Sequence, residues 1–181
     1  MGIQRDFISF NKWLSTLPHK HKLITAGNHD ILAEDNGHIA KALITNGTLL
    51  LDESITIDGV NFYLSPFSPE FGRWAFMLPR EAMKYVWDKI PTDTNVLVTH
   101  GPPAGILDEV RRDRYDRSRG NIHVGCQALR DRVDIIKPKL HIFGHIHEGR
   151  GEFKNEHTHF INASSLSASY DPIHTPIVID I

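Results

Sequence analysis

The chain has 181 residues, 40% hydrophobic and 23% charged, with a formal charge of −2; this is the size and balance of one globular domain with a buried core. That charge gives no electrostatic reason to bind long nucleic acid or an anionic membrane, and no apolar run approaches the ~20 residues of a membrane span. A single cysteine, Cys126, excludes an internal disulfide framework, and twelve histidines are the one compositional excess.

The N-terminus, MGIQRDF, carries neither a charged leader with an apolar block nor a myristoylation signal, because Asp6 stands where Ser or Thr is required. A cytoplasmic protein is expected. Ile3, Phe7, Phe10, Leu14 and Leu17 form a helical stripe that Pro18 closes. A strand over 22–26 then ends in Gly27-Asn28-His29-Asp30. Ile39/Leu43 and Ala40/Ile44 predict a helix over 36–44, stopped by Asn46-Gly47. ITIDGVNFYL (55–64) reads as a β-hairpin turning at Asp58-Gly59. Residues 65–78 read as a loop, and a helix over 80–90 should bury Met83, Val86, Trp87 and Ile90.

The second half repeats the opening pattern. NVLV (95–98) runs into Thr99-His100-Gly101-Pro102-Pro103, and a charged loop (104–122) leads to a helix burying Cys126, Leu129, Val133 and Ile136. LHIF (140–143) ends in Gly144-His145-Ile146-His147. Two last strands are expected, HFINA (159–163) and PIVIDI (176–181). Strands alternating with helices predict an α/β sandwich with parallel central strands.

Three apolar strands thus end in polar clusters: Asn28-His29, His100, and His145/His147. Open α/β sheets bind ligands at the carboxyl ends of their strands, so these tips are expected to converge. In extended chain, residues two apart face the same side, which directs both His145 and His147 to one site. His19, His21, His38, His157, His159 and His174 lack such a setting and read as surface or hydrogen-bonded histidines.

GNHD, THGPP and GHIH, in this order and each after a strand, resemble the later motifs of the calcineurin-like metallophosphoesterases. HGPPAGILD, HVGC, KPKLHIFGHIHEGRG, INASS and PIVIDI resemble the metallophosphoesterase-domain-containing branch. The resemblance implies a four-layer α-β-β-α sandwich with two metals at the sheet edge, hydrolysing phosphoesters by attack of a metal-activated hydroxide. It implies that Asn28, His100 and His145 hold one divalent ion, Mn²⁺ or else Fe or Zn²⁺, and that His147 holds the other. His29 would sit beside the scissile phosphate and serve the leaving oxygen, since imidazole gives a proton near neutral pH.

The family pattern opens with Asp-x-His and Gly-Asp, and this chain contains neither. The expectation is an N-terminally incomplete domain spanning 1–181, a sandwich lacking its first strands. Its donors are all neutral, so one ion rather than two is expected: two close dications repel unless an anion bridges them. Three histidines suit a single Zn²⁺ better.

Further candidates are weaker. His123 and Arg150 lie near motifs and are expected substrate contacts. Arg111, Arg112, Arg114, Arg117 and Arg119 stand among acidic residues, as a self-neutralised loop or as a lid that meets phosphate. Asp30 either orients His29 or ends its turn, Cys126 reads as core, and Asn162 as a brace beside the site. The reading is a metal-dependent phosphoesterase acting on small phosphodiesters or phosphomonoesters, nucleotides among them. The alternative is a non-catalytic nucleotide- or metal-binding module, which the missing carboxylates favour for this chain.

Overall fold

The computed structural model describes residues 2–111 and 120–180. Arg112, Arg114, Arg117 and Arg119 lie outside the described residues, so the lid reading of that loop is not addressed by the structure.

Helix α1 (Gln4–Leu14) begins with Asp6 Oδ2 accepting the Ile3 amide at 3.2 Å. Its stripe is only half used: Phe7 and Leu14 are buried, while Ile3 and Phe10 remain exposed because the helix lies along one side of its small cluster. The expected strand 22–26 shrinks to β1 (Leu23–Ile24), which pairs in parallel with β2 (Thr48–Leu49). The ladder stops there because the chain turns into the Gly27–Asp30 tip. Between these strands lie α2 (Ile31–Asp35), which the periodicity did not predict, and α3 (Gly37–Leu43) within the expected helix.

The hairpin forms as β3 (Glu53–Ile57) and β4 (Val60–Ser65), with Ile57 opposite Val60 and Asp58 at φ 49 in the turn. In the following loop, β5 (Ser68–Pro69) and β6 (Met77–Leu78) form a two-residue pairing. Helix α4 (Met83–Trp87) and its flanks bury Met83, Val86, Trp87 and Ile90, as the sequence predicts.

β7 (Val96–Thr99) precedes an arm made of β8 (Glu109–Arg111) and β9 (Asn121–His123), paired antiparallel inside the expected loop. Helix α5 (Gln127–Ile136) buries Leu129, Val133 and Ile136 and ends at Lys137 in the left-handed region, just before Pro138. β10 (Leu140–Phe143), β11 (Gly151–Lys154) and β12 (His159–Asn162) complete the set.

The central sheet has six strands in the order β11-β12-β10-β7-β4-β3. Its inner four, β12, β10, β7 and β4, are mutually parallel, and both edges are antiparallel. One face carries Tyr63, Leu97 and Phe160 against α4 and α5. The other carries Val96, Leu140 and Ile161, with Ile177 and Ile179 packed over them. The molecule is a mixed α/β sandwich, its second layer reduced to β1, β2 and the helices around them.

PIVIDI forms no strand within 176–180, which corrects the expectation. Its alternation still operates, since Ile177 and Ile179 pack on the sheet while Val178 is exposed, but among the described residues no strand pairs with it. No helix among the described residues is long and apolar enough to cross a membrane.

Register then aligns the strand tips. Ser65 stands opposite Thr99, Val98 opposite Ile142, and Phe143 opposite Asn162. The pairing runs on past the strands, with Gly144 N donating to His100 O at 3.0 Å. Parallel pairing therefore brings the residues after β7, β10 and β12 to one edge.

Candidate functional site

The tip after β1 folds on itself. Gly27 N donates to Asp30 Oδ2 at 2.8 Å and Asp30 N donates to Gly27 O at 3.0 Å, so Asp30 closes the turn. Burial pushes the Asp30 carboxyl above its usual range, against the opposing pull of the Gly27 amide and His29. A Cβ on Gly27 would lie 2.5 Å from His100 Cε1; only glycine lets the His100 ring approach here.

His100 and Asn28 then meet, with Nε2 and Oδ1 2.8 Å apart. The His100 ring lies 4.6 Å from that of His145, centroid to centroid. His145 itself adopts φ 68, a left-handed conformation that a non-glycine residue adopts only when its surroundings hold it there. Burial, then the neighbouring His145 and His29, depress the His100 pKa to about 3. Burial, then His147 and His29, depress that of His145 to about 4. Both imidazoles are thus neutral at physiological pH, the state a metal ligand requires.

His147 is oriented from outside. Its Nδ1 lies 2.9 Å from Ser167 O, and since a carbonyl only accepts, Nδ1 carries the proton and Nε2 keeps a free lone pair. Its ring packs edge-on to Tyr170 at 4.9 Å, and His29 packs edge-on to Trp74 at 4.7 Å. Asn28, His29, His100, His145 and His147 all line one cavity of about 850 Å³.

The other sequence candidates stand apart from that wall. His123 Nδ1 lies 2.6 Å from the buried Asp108, whose hydrogen bond and charge draw the His123 pKa upward. The Arg150 guanidinium donates to Ser164 O at 2.7 Å and Thr175 O at 2.8 Å, fastening the C-terminal segment. Cys126 is buried, with Trp87 Nε1 3.2 Å from its Sγ, as a core residue should be.

Sequence reasoning missed three members of the cavity wall, Phe71, Trp74 and Tyr170, all exposed aromatics. The signal for Phe71 and Trp74 was an aromatic-rich stretch among Pro and Gly at 65–78, which reads equally as an ordinary loop; Tyr170 stands in a polar stretch that gave none. Arg80 also lines the cavity while bracing Val124 O and Gly125 O at the base of the arm.

The fit to metal ions is partial. Among the described residues no three His, Cys, Asp or Glu side chains gather as an ion site. What the cavity does gather is two neutral imidazoles and the Asn28 amide oxygen, a donor set suited to one borderline divalent ion. A pair of dications fits less well: Glu70 and Glu148 line the same cavity, but among the described residues neither groups with these donors as an ion site.

The sequence profile described as calcineurin-like phosphoesterase matches residues 3–149. Metallophosphoesterase domain-containing protein 1 of Homo sapiens is 35% identical over 206 aligned residues, covering 100% of this chain and 61% of that protein. The protein of the same name from Mus musculus matches to the same extent. The chain therefore spans about three fifths of the length of these relatives. A solved crystal structure with 18% sequence identity superposes with a TM-score of 0.64, over 88% of this chain and 63% of its own, and carries the same fold. Profile, relatives and fold agree: the chain belongs to the calcineurin-like phosphoesterase family.

Proposed function

We propose that this chain carries the histidine half of a metal-dependent phosphoesterase site for small phosphodiesters or phosphomonoesters, nucleotides among them. The observation that carries the reading is the common cavity of Asn28, His29, His100, His145 and His147, reached from three separate strand tips. In this reading Asn28, His100 and His145 would hold one divalent ion, Mn²⁺, Fe or Zn²⁺, while the second ion that the resemblance assigns to His147 is not expected in this chain. A divalent ion bound there supplies positive charge for phosphate oxygens and acidifies water.

The chain's own residues do the rest. His29, held edge-on by Trp74, delivers a proton to the departing alkoxide oxygen. The hydrogen bond from His147 Nδ1–H to Ser167 O fixes the His147 tautomer, and burial keeps His100 and His145 unprotonated.

A non-catalytic metal- or nucleotide-binding role is favoured for this chain by itself on one observation: among the described residues no carboxylate is grouped with the histidines as an ion site. The test is hydrolysis of bis(p-nitrophenyl) phosphate with Mn²⁺, by this chain and by a chain extended at its N-terminus with Asp-x-His and Gly-Asp. Activity in the extended chain with little or none in the short one supports the reading. Equal, robust turnover by both contradicts it.

A further inference from the structure

Asn162, at the last position of β12, is fully buried, and its carboxamide fills all four of its hydrogen-bonding positions. Nδ2 donates to Ile146 O at 2.8 Å and to Leu107 O at 3.2 Å. Oδ1 accepts from Ser164 N at 3.1 Å and Ser164 Oγ at 2.7 Å. The two carbonyls only accept and the Ser164 amide only donates, so chemistry fixes which way this amide points.

Ile146 is the residue between His145 and His147. Its carbonyl also accepts from Gly149 N at 3.2 Å, while its own amide donates to Gly144 O at 2.7 Å. The tip is thereby gripped on both sides of a residue, His145, whose φ of 68 is unfavourable for a side chain with a Cβ. Leu107, also at positive φ, lies beside Asp108, which anchors the arm through Gly105 N and Gly125 N, each at 3.0 Å. A Cβ on Gly149 would lie 2.0 Å from Leu107 O, so tip and arm base are packed as closely as backbone allows.

We propose that Asn162 is a positioning residue that sets the direction of His145 and His147 by holding Ile146 O, and ties the base of the β8–β9 arm to the same tip. One amide joins the strand tip that carries two site histidines to the arm whose Val110 and Val124 form another wall of the cavity. Its importance for ion or ester binding rests on the functional reading above, but the geometric claim does not.

The test uses metal-free protein and reads the imidazole ¹⁵N and ¹H signals of His145 and His147 by NMR. Asn162→Ala and Asn162→Asp should both move those signals, the Asp variant despite keeping acceptors for Ser164. Gly149 amide exchange should accelerate about tenfold or more, as the loss of a buried hydrogen bond predicts. Ile161→Val, a neighbouring core change of modest stability cost, should leave the ring signals in place. In the unmutated chain, which needs no variant to fold, the Asn162 Nδ2 protons should exchange slowly and show scalar coupling to the Ile146 carbonyl. Unmoved ring signals in a folded Asn162→Ala protein, equal movement in Ile161→Val, or absence of that coupling would overturn the proposal. A parallel Zn²⁺ titration separates the two ideas: failure of the unmutated chain to take Zn²⁺ removes the metal reading and leaves the ring result standing.

Discussion

The His100 imidazole and the Asn28 amide oxygen, 72 residues apart in sequence, meet at 2.8 Å between the tips of β7 and β1. A proton on Nε2 holds that contact in the metal-free chain, and in the functional reading both groups would be donors to a divalent ion.

Asn28→Asp should therefore tighten Mn²⁺ more than Zn²⁺. The change adds one negative charge to a neutral donor set, and hard ions favour carboxylate oxygen. A unit charge pair ~4 Å apart is worth about 4 kcal/mol at an effective dielectric of 20, so even a fraction of it gives about tenfold in affinity. Isothermal titration with each ion checks it, and an unchanged Mn²⁺ affinity would remove Asn28 from the donor set.

His29→Ala should lower turnover of an active, N-terminally extended form by ~10²–10⁴-fold, the usual contribution of a general acid. Ion content should be unchanged, because in this reading His29, packed edge-on to Trp74, serves the leaving oxygen and is not among the ion's donors. Steady-state kinetics beside metal analysis tests this, and equal loss of metal and activity would make His29 a ligand.

Stability should fall as pH drops from about 6.5 toward 3, and His141 should contribute to the fall. Thr99 Oγ1 donates to Gly101 O at 2.7 Å and so accepts from His141 Nε2–H at 2.9 Å. Nδ1 is left as a buried lone pair without a partner, beside Phe143 and Phe160. Burial depresses the His141 pKa to about 3, so the unfolded chain takes up this proton at higher pH than the folded one. Stability is complete above the unfolded pKa of ~6.5 and is lost progressively below it. His100 and His145 add to the same slope through the same cause. Urea melts across this range should show a shallower slope for His141→Gln, and an unchanged slope would contradict the assignment.

Trp87→Ala should cost about 3–5 kcal/mol in a denaturant melt, the range for losing a fully buried large aromatic. Cys126, buried beneath it, should resist a thiol reagent until the chain unfolds. Rapid native labelling would show that this core opens.

Where a pattern rests on burial, the sequence was readable. Met83, Val86 and Trp87 on one helix with Ile90 just after it, and Leu129, Val133 and Ile136 on another, went inside as their spacing required. The Asp58-Gly59 turn fixed the hairpin register because its backbone geometry demands those residues. Where a ladder needs a partner from far along the chain, spacing was not enough. PIVIDI alternates as a strand does and packs as one, yet forms none, and β1 pairs for only two residues.

The rule that parallel strands end at one edge accounts for His100, His145 and His147 after β7 and β10; Asn28 follows β1 of a separate two-stranded sheet and reaches the same cavity wall through the Gly27–Asp30 turn. The Asp108–His123 pair and the Arg150 contacts did not follow from that rule. They are made by loop backbone whose path no periodicity encodes.

The most direct test is the number of tightly bound divalent ions per chain, measured by metal analysis after Zn²⁺ or Mn²⁺ loading and dialysis. The account predicts one ion in the unmutated chain, and none in the His100→Ala, His145→Ala double variant at undiminished fold content by circular dichroism. Two tightly held ions in the unmutated chain, or one retained by the double variant, would contradict it.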